Sequence, residues 1–443
     1  MAADKLAEEY KRSHPKSGRL HERAVKVFSG AGATAYIRIL NPYRPYITYA
    51  KGSKKWDVDD HEYIDYVMGH GALLLGHCHP GIVKAVQEQA AKGLHYGDNH
   101  ELEVEWGELI KSMMPTAERV EFFSCGQEAN LMAIRLSRVF TGRQRILRFV
   151  ENFHGWVDEV TMKPSSPGVF APAVKIIPYD LGQVEKELAN REYAILMIEG
   201  GGAHMTGQVP IDIDFVRALL PLAHKYGTVF HMDEVVTGFR DMVGGFQAMV
   251  GVKPDLTSLG KTISGGLGAG ALIGRADIME AFNPNNLKHQ VQHSGTWNAN
   301  PLTSAAGVAA LKLYRNGEPQ KMANELAADL RKKGNEVFKE KKISGWLYGR
   351  SITHIYFGPF EMEPLDGTMP PTKDIDKIVG MESLKARLGH HLLQNGVSTM
   401  AGRMFILSSA HNEEDIDKTV SALAASLDGM VAEGSIEKYG AKY

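Results

Sequence analysis

Cysteine is nearly absent from this chain of 443 residues, which contains only Cys78 and Cys125. Two cysteines are too few for the disulfide framework that stabilises many small secreted domains. The fold therefore has to depend on a hydrophobic core, and the cysteine content favours a reducing compartment. We expect a cytoplasmic protein.

Long apolar runs are also missing. Two of the longest, residues 73–75 and 194–198, are far shorter than the roughly 20 residues needed to cross a bilayer as a helix. Residues 1–22 are polar and charged and lack the apolar segment of a signal peptide. We expect no association with a membrane.

The chain lacks an excess of either charge, because 50 basic and 52 acidic side chains give a formal net charge of −2. A nucleic-acid-binding protein usually shows a basic excess or a basic cluster. We therefore expect no nucleic-acid partner. The length allows a large core divided between two lobes.

Secondary-structure patterns divide the chain into an irregular beginning and a regular middle. Residues 5–28 have helical spacing, and three short alternating runs (46–50, 55–58 and 63–67) predict an antiparallel meander. From about residue 80, helical stretches alternate with short apolar runs. This alternation is typical of βαβ units and predicts an α/β domain with a mostly parallel sheet covered on both faces.

Beyond residue 304 a long helical region reaches residue 338, and strand-like runs follow at 352–357 and 404–407. We divide the chain into 1–75, an N-terminal helix and meander belonging to a small lobe; 76–330, a large α/β domain; and 331–443, a C-terminal α+β domain. The small lobe is thus expected to combine both chain ends.

Lys261 is the most informative residue. It follows the run 254–260, and upstream of it the apolar run 228–232 ends at Asp233. A lysine amine can hold a pyridine aldehyde as a Schiff base. A carboxylate at the end of a neighbouring strand can keep the pyridine nitrogen protonated, so that the ring accepts electrons from a substrate carbanion.

Two loops add a possible cofactor cradle. Cys125-Gly126-Gln127 lies between a predicted strand and a predicted helix, where free backbone N–H groups bind phosphate well. Phe153 and His154 follow another strand, where an aromatic ring could stack on a cofactor and a histidine could contact it. Each loop alone is a weak signal, since ordinary helix starts and packed loop aromatics look the same.

Other motifs are rejected. Gly260-Lys261-Thr262 ends like a phosphate-binding loop, but Asp255 stands where that motif needs glycine. The glycines of 266–270 have no strand immediately before them, as a dinucleotide fingerprint requires. His77-Cys78-His79 has no second cluster at ligand spacing, so we predict no metal site.

Taken together, these residues resemble the class III, fold-type I aminotransferases that use pyridoxal phosphate. The specific part is Asp233-Glu234-Val235, the run 237–240 (Thr-Gly-Phe-Arg) and Leu259-Gly260-Lys261. Within that class the chain looks most like the glutamate-1-semialdehyde aminomutase branch, which also includes D-phenylglycine-type and β-amino-acid aminotransferases.

The resemblance implies that Lys261 and Asp233 are catalytic, the first as Schiff-base lysine and the second as partner of the pyridine nitrogen. It also implies that the protein is a homodimer whose two subunits share their active sites. The remaining residues that it implies for cofactor binding are Cys125, Gly126 and Gln127 at the phosphate, Val235 and Phe153 on the two ring faces, His154 and Glu199 nearby, and Thr296 from the neighbouring subunit.

The chain departs from the family at three of these places. The phosphate turn is usually Ser-Gly-Thr, so Cys125 and Gln127 lose one or two hydroxyl donors but keep the backbone N–H groups. Phe153 stands where this branch often has tyrosine. Glu199 is normally followed by proline, and here Gly200-Gly201-Gly202 follows.

Two arginines are candidates for the substrate carboxylate, which arginine binds with two parallel hydrogen bonds. Arg38 keeps the glycine-to-arginine spacing of the aminomutase branch, and Arg403 resembles the carboxylate arginine of β-phenylalanine aminotransferases. His70 stands where the aminomutase has tryptophan, which favours a pocket for a bulky or aromatic side chain.

The leading hypothesis is an aminotransferase that moves an amino group between an amino acid, of β-amino, D- or aryl-glycine type, and a keto acid. A glutamate-1-semialdehyde aminomutase or an amino-acid racemase would use the same catalytic residues and is the alternative. A third hypothesis is a non-catalytic dimer, for which the altered phosphate turn and the three glycines after Glu199 are the only support.

Overall fold

A computed structural model describes residues 4–34, 40–162, 165–204, 209–286, 289–364 and 367–439. The chain forms two compact units. The first unit comprises Met1–His70, Leu75–His79 and Met322–Tyr443, and the second comprises Gly71–Leu74 and Pro80–Lys321. The boundary between Lys321 and Met322 falls within a long helix, Glu318–Glu340.

The described strands, in chain order, are β1 (Ile47–Lys51), β2 (Lys54–Asp57), β3 (Glu62–Asp65), β4 (Arg119–Phe123), β5 (Arg145–Phe149), β6 (Val174–Ile177), β7 (Tyr193–Glu199), β8 (Gly202–Ala203), β9 (Val209–Pro210), β10 (Val229–Glu234), β11 (Leu256–Gly260), β12 (Gly270–Gly274), β13 (Gly345–Gly349), β14 (Ile352–Phe357), β15 (Val397–Ser398) and β16 (Met404–Ile406).

The described α-helices are α1 (Lys5–Ser13), α2 (Pro15–Val27), α3 (Pro80–Ala90), α4 (Glu101–Met113), α5 (Gly126–Thr141), α6 (Leu181–Leu188), α7 (Ile213–Lys225), α8 (Gly245–Val250), α9 (Ala276–Met279), α10 (Pro301–Tyr314), α11 (Glu318–Glu340), α12 (Ile375–Val379), α13 (Glu382–Gln394) and α14 (Glu413–Ala432). Among the described helices, none is both long enough and apolar enough to cross a bilayer.

The second unit is built on a seven-stranded sheet with the order β4-β12-β11-β10-β7-β5-β6. The neighbours from β11 to β6 pair in parallel, and β12 runs antiparallel to both β11 and β4. The predicted α/β fold with a mostly parallel sheet is confirmed.

Side chains alternate between two cores on opposite faces of this sheet. On β7, Leu196 and Ile198 belong to one hydrophobic cluster, whereas Ile195 and Met197 belong to another. The first cluster includes residues of α6 and α7, and the second includes residues of α5. Because successive strand residues point to opposite faces, burial on both faces requires the continuous apolar run seen in the sequence.

The first unit joins the two chain ends in one small α+β structure. Its four-stranded sheet has the order β1-β2-β3-β15, in which Val397 and Ser398 pair in parallel with Ile64 and Asp65. A three-stranded antiparallel sheet, β13-β14-β16, completes it. The smaller lobe built from both chain ends, predicted from the sequence, is confirmed.

Two long helical predictions are each divided in the structure. Residues 5–28 form α1 and α2, separated at His14, because Pro15 lacks an N–H group and disfavours a helical backbone at the preceding residue. The region 304–338 is divided between α10 and α11, with Gly317 at φ 78° between them. A left-handed backbone ends a helix, and glycine adopts it without a steric penalty.

The packing of α10 against α4 gives a test of this core. A β carbon on Gly307 of α10 would lie 2.4 Å from Cε2 of the fully buried Trp106 and 2.9 Å from the Ile263 carbonyl. We expect Gly307→Ala to lower the free energy of unfolding by about 1–3 kcal/mol, the usual cost of overpacking. Denaturant unfolding measures it.

Gly107→Ala in α4 is the matched control, since its β carbon would meet only Phe122 at 3.9 Å. At this position alanine should leave the free energy of unfolding unchanged or raise it by up to about 1 kcal/mol, because alanine forms helices more readily than glycine. Equal destabilisation by both substitutions would contradict the packing described.

Candidate active site

The site forms where two parallel strands end side by side. In the β10–β11 register Asp233 lies opposite Ser258 and Glu234 opposite Leu259. Lys261 follows Gly260, the last residue of β11. Since the carboxyl ends of parallel strands share one edge of the sheet, this register brings the predicted acid and the predicted lysine to the edge where ligands of α/β folds bind.

Asp233 is held as a carboxylate by three hydrogen bonds. Its Oδ2 accepts from Asn130 Nδ2 at 2.7 Å and from His154 Nδ1 at 2.8 Å, and its Oδ1 accepts from the Val235 N–H at 2.9 Å. Only 3% of Asp233 is exposed. Burial raises the pKa of Asp233, but hydrogen bonding and charge from His154 outweigh it, so the pKa lies below its usual value.

Lys261 carries an amine that no hydrogen bond or ion pair from the described residues engages. Burial lowers its pKa, and the nearby Arg240 charge acts in the same direction, while Asp233 and Glu199 oppose them. The residue begins a 3₁₀ turn, Lys261–Ser264, with φ at 47°. A left-handed backbone at a non-glycine residue is strained and often marks a functional position.

Arg240 is fully buried beside this lysine. Its Nη2 donates to the Gly71 carbonyl at 2.6 Å. A β carbon on Gly71 would lie 3.6 Å from Cδ of Lys261, and Gly71 has φ at 95°. The segment that carries Gly71 therefore lies close to the lysine side chain and is anchored through the guanidinium.

Glu199, at the end of β7, is the second buried acid of the site, with 2% exposure. Its Oε2 accepts from the Phe153 N–H at 3.1 Å and its Oε1 from the His204 N–H at 3.0 Å. Burial, followed by the negative charge of Asp233, raises the pKa of Glu199 to about 8. Glu199 is therefore largely protonated at neutral pH.

The three glycines after Glu199 make a tight turn that is hydrogen-bonded to Asp233 at its first residue. The Gly200 N–H donates to the Asp233 carbonyl at 2.7 Å. Gly201 and Gly202 have φ at 78° and 111°, and a β carbon on Gly202 would lie 2.1 Å from the Val209 carbonyl. The close β8–β9 pairing of Gly202 with Pro210 thus requires glycine at position 202.

The start of α5 is an open anion cradle. Cys125 occupies the N-cap position, and no side chain caps the helix. A β carbon on Gly126 would lie 2.4 Å from Cγ2 of Val235, and one on Gly260 would lie 3.1 Å from Cγ1. Val235 therefore packs between two glycine backbones, and the uncapped N–H groups of the helix start suit a phosphate.

At the predicted phosphate turn, the side chain of Gln127 bonds to another loop. Gln127 Oε1 accepts from the Trp156 N–H at 2.6 Å, so this side chain holds the 153–156 loop. Phe153 is half-buried and meets Trp156 edge-on, with ring centroids 5.1 Å apart. Trp156 itself is 67% exposed.

Thr296 lies beside the same sheet edge within one chain. Its carbonyl accepts a short hydrogen bond from His95. Two residues later, Asn298 Oδ1 accepts a hydrogen bond of 3.4 Å from Ser124 Oγ, and Ser124 directly follows β4. Of the predicted substrate residues, Arg38 lies outside the described residues. His70 and Arg403 belong to the first unit, and their roles remain predictions.

Asn130 was not predicted from the sequence, and Arg240 was given no role. Asn130 lies one helical turn after Gly126, on a buried and mostly apolar face of α5 that includes Ala129 and Ala133. A polar amide among such residues needs a partner inside the protein. That pattern is a usable signal, although it does not identify the partner.

Residues 40–345 match the model of the aminotransferase class-III family. The chain belongs to this family. Among its relatives, a glutamate-1-semialdehyde 2,1-aminomutase from Syntrophomonas wolfei is 34% identical, over 93% of this chain and 99% of that protein.

Solved structures of aminotransferases share the fold. A β-phenylalanine aminotransferase from Variovorax paradoxus has a TM-score of 0.87 and 28% identity, covering 96% of this chain and 97% of that one. A transaminase with pyridoxal phosphate bound has a TM-score of 0.84 and 26% identity, covering 95% and 99%. The fold-type I assignment made from the sequence is thus confirmed.

The raised pKa of Glu199 makes stability depend on pH. The native carboxyl stays protonated up to about pH 8, whereas its ordinary value is 4.5, so the native chain binds more protons between these limits. The contribution of Glu199 to the stability of the ligand-free chain should therefore fall as pH rises through this window, by at most about 1.4 kcal/mol per pH unit.

Glu199→Gln should remove that contribution, because glutamine does not titrate. Unfolding free energies of both proteins, measured from pH 5 to pH 9, would show a difference that changes with pH; the slope is the readout, since the amide also disturbs two backbone hydrogen bonds. The same substitution at the exposed Glu340 is the control. Parallel curves for wild type and Glu199→Gln would contradict a protonated Glu199.

Proposed function

We propose that this class III protein is a pyridoxal-phosphate-dependent aminotransferase that moves an amino group between an amino acid and a keto acid. The observation that carries the proposal is the pairing of a hydrogen-bonded, buried Asp233 with an unengaged Lys261 amine at adjacent strand ends. The family membership and the cofactor of a structural neighbour support the same function.

The described residues fit the cofactor. Asp233 accepts three hydrogen bonds, and a carboxylate can accept about four, so it can still pair with a protonated ring nitrogen. His154 Nε2 and Asn130 Oδ1 are buried polar atoms without partners among the described residues. The open start of α5 offers its N–H groups to the phosphate.

Lys261 would hold the cofactor through its amine, Val235 and Phe153 would contact the two ring faces, and Glu199 and His154 would line the site. When bound, the cofactor supplies an electron sink that stabilises negative charge on the carbon bearing the amino group. Cys125, Gly126 and Gln127 would hold the phosphate mainly through backbone groups.

Lys261 is also the group that moves protons. Its lowered pKa leaves a larger fraction of neutral amine, whose Nζ can take the proton from the amine-bearing carbon and return it. Burial and the positive charge of Arg240 lower the pKa of Lys261, and the negative charge of Asp233 opposes that lowering. Glu199, protonated near neutral pH, adds little charge to this balance.

For the substrate we propose a β-amino, D- or aryl-glycine-type amino acid. Arg38 and Arg403 are the candidates for its carboxylate, and His70 for contact with its side chain. Arg403 has only a loose ion pair, with Glu382 Oε2 at 3.9 Å, and its Nε is buried without a partner among the described residues. This leaves hydrogen-bonding capacity for a carboxylate.

The second candidate is a glutamate-1-semialdehyde aminomutase, which the 34% identity to the Syntrophomonas wolfei protein favours. A racemase would use the same lysine and acid. Under any of these functions we propose a homodimer with shared active sites, in which Thr296 of the partner subunit contacts the phosphate.

Replacing Lys261 should separate folding from catalysis. Lys261→Ala should reduce amine transfer by at least about 10³-fold, because both cofactor attachment and proton transfer, itself worth about 10²–10⁴-fold, are lost. Turnover and circular dichroism would be measured together. Lys253→Ala, which removes an exposed amine paired with Glu118, is the control and should keep full activity. Normal turnover in Lys261→Ala would refute the proposal.

A single-turnover experiment distinguishes the candidate reactions. The reconstituted enzyme would be mixed with α-, β- and D-amino acids without any acceptor, and the keto product would be measured against enzyme concentration. An aminotransferase should yield stoichiometric keto product from its own donor. Isomerised substrate without keto product would instead support the aminomutase or the racemase.

A further inference from the structure

One group of side chains in the first unit has the composition of a metal site. His14, Asp57 and His61 place their donor atoms within 4.8 Å of one another. Among the described residues they are the one group of three or more histidine, cysteine or acidic side chains that does so. No metal site was predicted from the sequence. Asp57 and His61 lie at one turn, between β2 and β3, whereas His14 comes from the N-terminal helices, so its proximity to them is visible only in the fold.

Backbone hydrogen bonds hold the three positions in place. Asp57 ends β2, and its Oδ1 accepts from the N–H groups of Asp59 and His61, both at 2.9 Å. The Asp59 carboxylate in turn accepts from the N–H groups of Lys16 and Ser17, at 2.6 and 2.8 Å. The β2–β3 turn and the start of α2, next to His14, are therefore fixed to each other.

The donor atoms have the spacing of ligands around zinc. Asp57 Oδ2 lies 3.2 Å from His61 Nδ1 and 3.5 Å from His14 Nε2. Tetrahedral zinc, with bonds of about 2.0–2.1 Å to nitrogen and oxygen, places neighbouring ligand atoms about 3.3–3.4 Å apart. The observed distances bracket that value.

A second hydrogen bond orients His14 as a ligand. Its Nδ1 lies 3.0 Å from the Tyr10 carbonyl, which can only accept, and with the hydrogen on Nδ1 the Nε2 atom presents a lone pair. Ser13 Oγ also lies 2.8 Å from Nδ1, but the Glu9 carbonyl can take its hydrogen at 3.2 Å. Metal-binding histidines are usually oriented by such a bond.

The Tyr63 hydroxyl links His14 and Asp57, and with the hydrogen of His14 on Nδ1 both of its neighbours are acceptors. The Tyr63 hydroxyl lies 2.7 Å from His14 Nε2 and 2.8 Å from Asp57 Oδ2, and its single hydrogen cannot serve both acceptors. A cation bound between Nε2 and Oδ2 would satisfy both acceptors.

We propose that His14, Asp57 and His61 bind a divalent metal ion of the zinc class, with the Tyr63 hydroxyl next to it as a fourth ligand or hydrogen-bond donor. Two nitrogen ligands and one or two oxygens suit zinc and its neighbours in the transition series. His14 and Asp57 are buried, while the His61 side chain is 37% exposed and gives the ion a route of entry. The ion would fasten the N-terminal helices to the β2–β3 turn.

The test measures zinc directly on the full-length chain without an affinity tag, reconstituted with its cofactor. After equilibrium dialysis against zinc, wild type should hold one ion per chain at this site, and His14→Ala and His61→Ala should each bind it about tenfold or more weakly. His224→Ala is the matched control. His224 pairs with Asp255 at 3.0 Å but belongs to no such three-residue set among the described residues, so its removal should not change binding.

Cobalt gives an independent readout, because a four-coordinate site yields a visible absorption band that an adventitious surface ion does not. His61→Ala removes a partly exposed ring, and its circular dichroism shows whether it folds. Wild type that binds no zinc, or His61→Ala and His14→Ala that keep wild-type affinity and the cobalt band, would overturn the proposal. Because no readout is amine transfer, either result leaves the proposed catalytic function unaffected.

Discussion

The ionised carboxylate of Asp233 is the interaction on which the site depends. An acid with 3% exposure would normally become neutral, and here donors from Asn130, His154 and the Val235 backbone keep it charged. Burial raises the pKa of Glu199 and the charge of Asp233 adds to that rise, while at Lys261 the same charge opposes the lowering of the pKa by burial. The one buried charge thus acts on both of the titratable residues beside it.

Close packing of backbone at the same sheet edge gives the site its shape. Val235 lies between Gly126 and Gly260, where any β carbon would meet its methyl groups. The chain after Glu199 turns through three glycines and bonds back to the Asp233 carbonyl. The start of α5 next to these contacts has no side-chain cap, so its first backbone N–H groups are left without a capping partner.

The two units differ in how their parts are held. The second unit depends on a sheet with both faces buried, whereas the first unit joins the chain ends through the β3–β15 pairing and several polar networks. The group around His14 and Asp57 is one of these networks, and it connects the N-terminal helices to a hairpin turn. A small lobe with a limited core gains most from such cross-links.

The sequence alone determined the α/β class, the mostly parallel sheet and the Lys261–Asp233 pair, because strand and helix periodicity and strand-end motifs are local patterns. It could not show that Asn130 and His154 share one carboxylate oxygen, that Gln127 bonds the 155–156 turn, or that His14 meets Asp57 and His61. Helix lengths were also misjudged where Pro15 and Gly317 break them. These features were decided by tertiary structure, because hydrogen bonds between residues distant in the chain depend on how the elements pack and leave no periodic trace in the sequence.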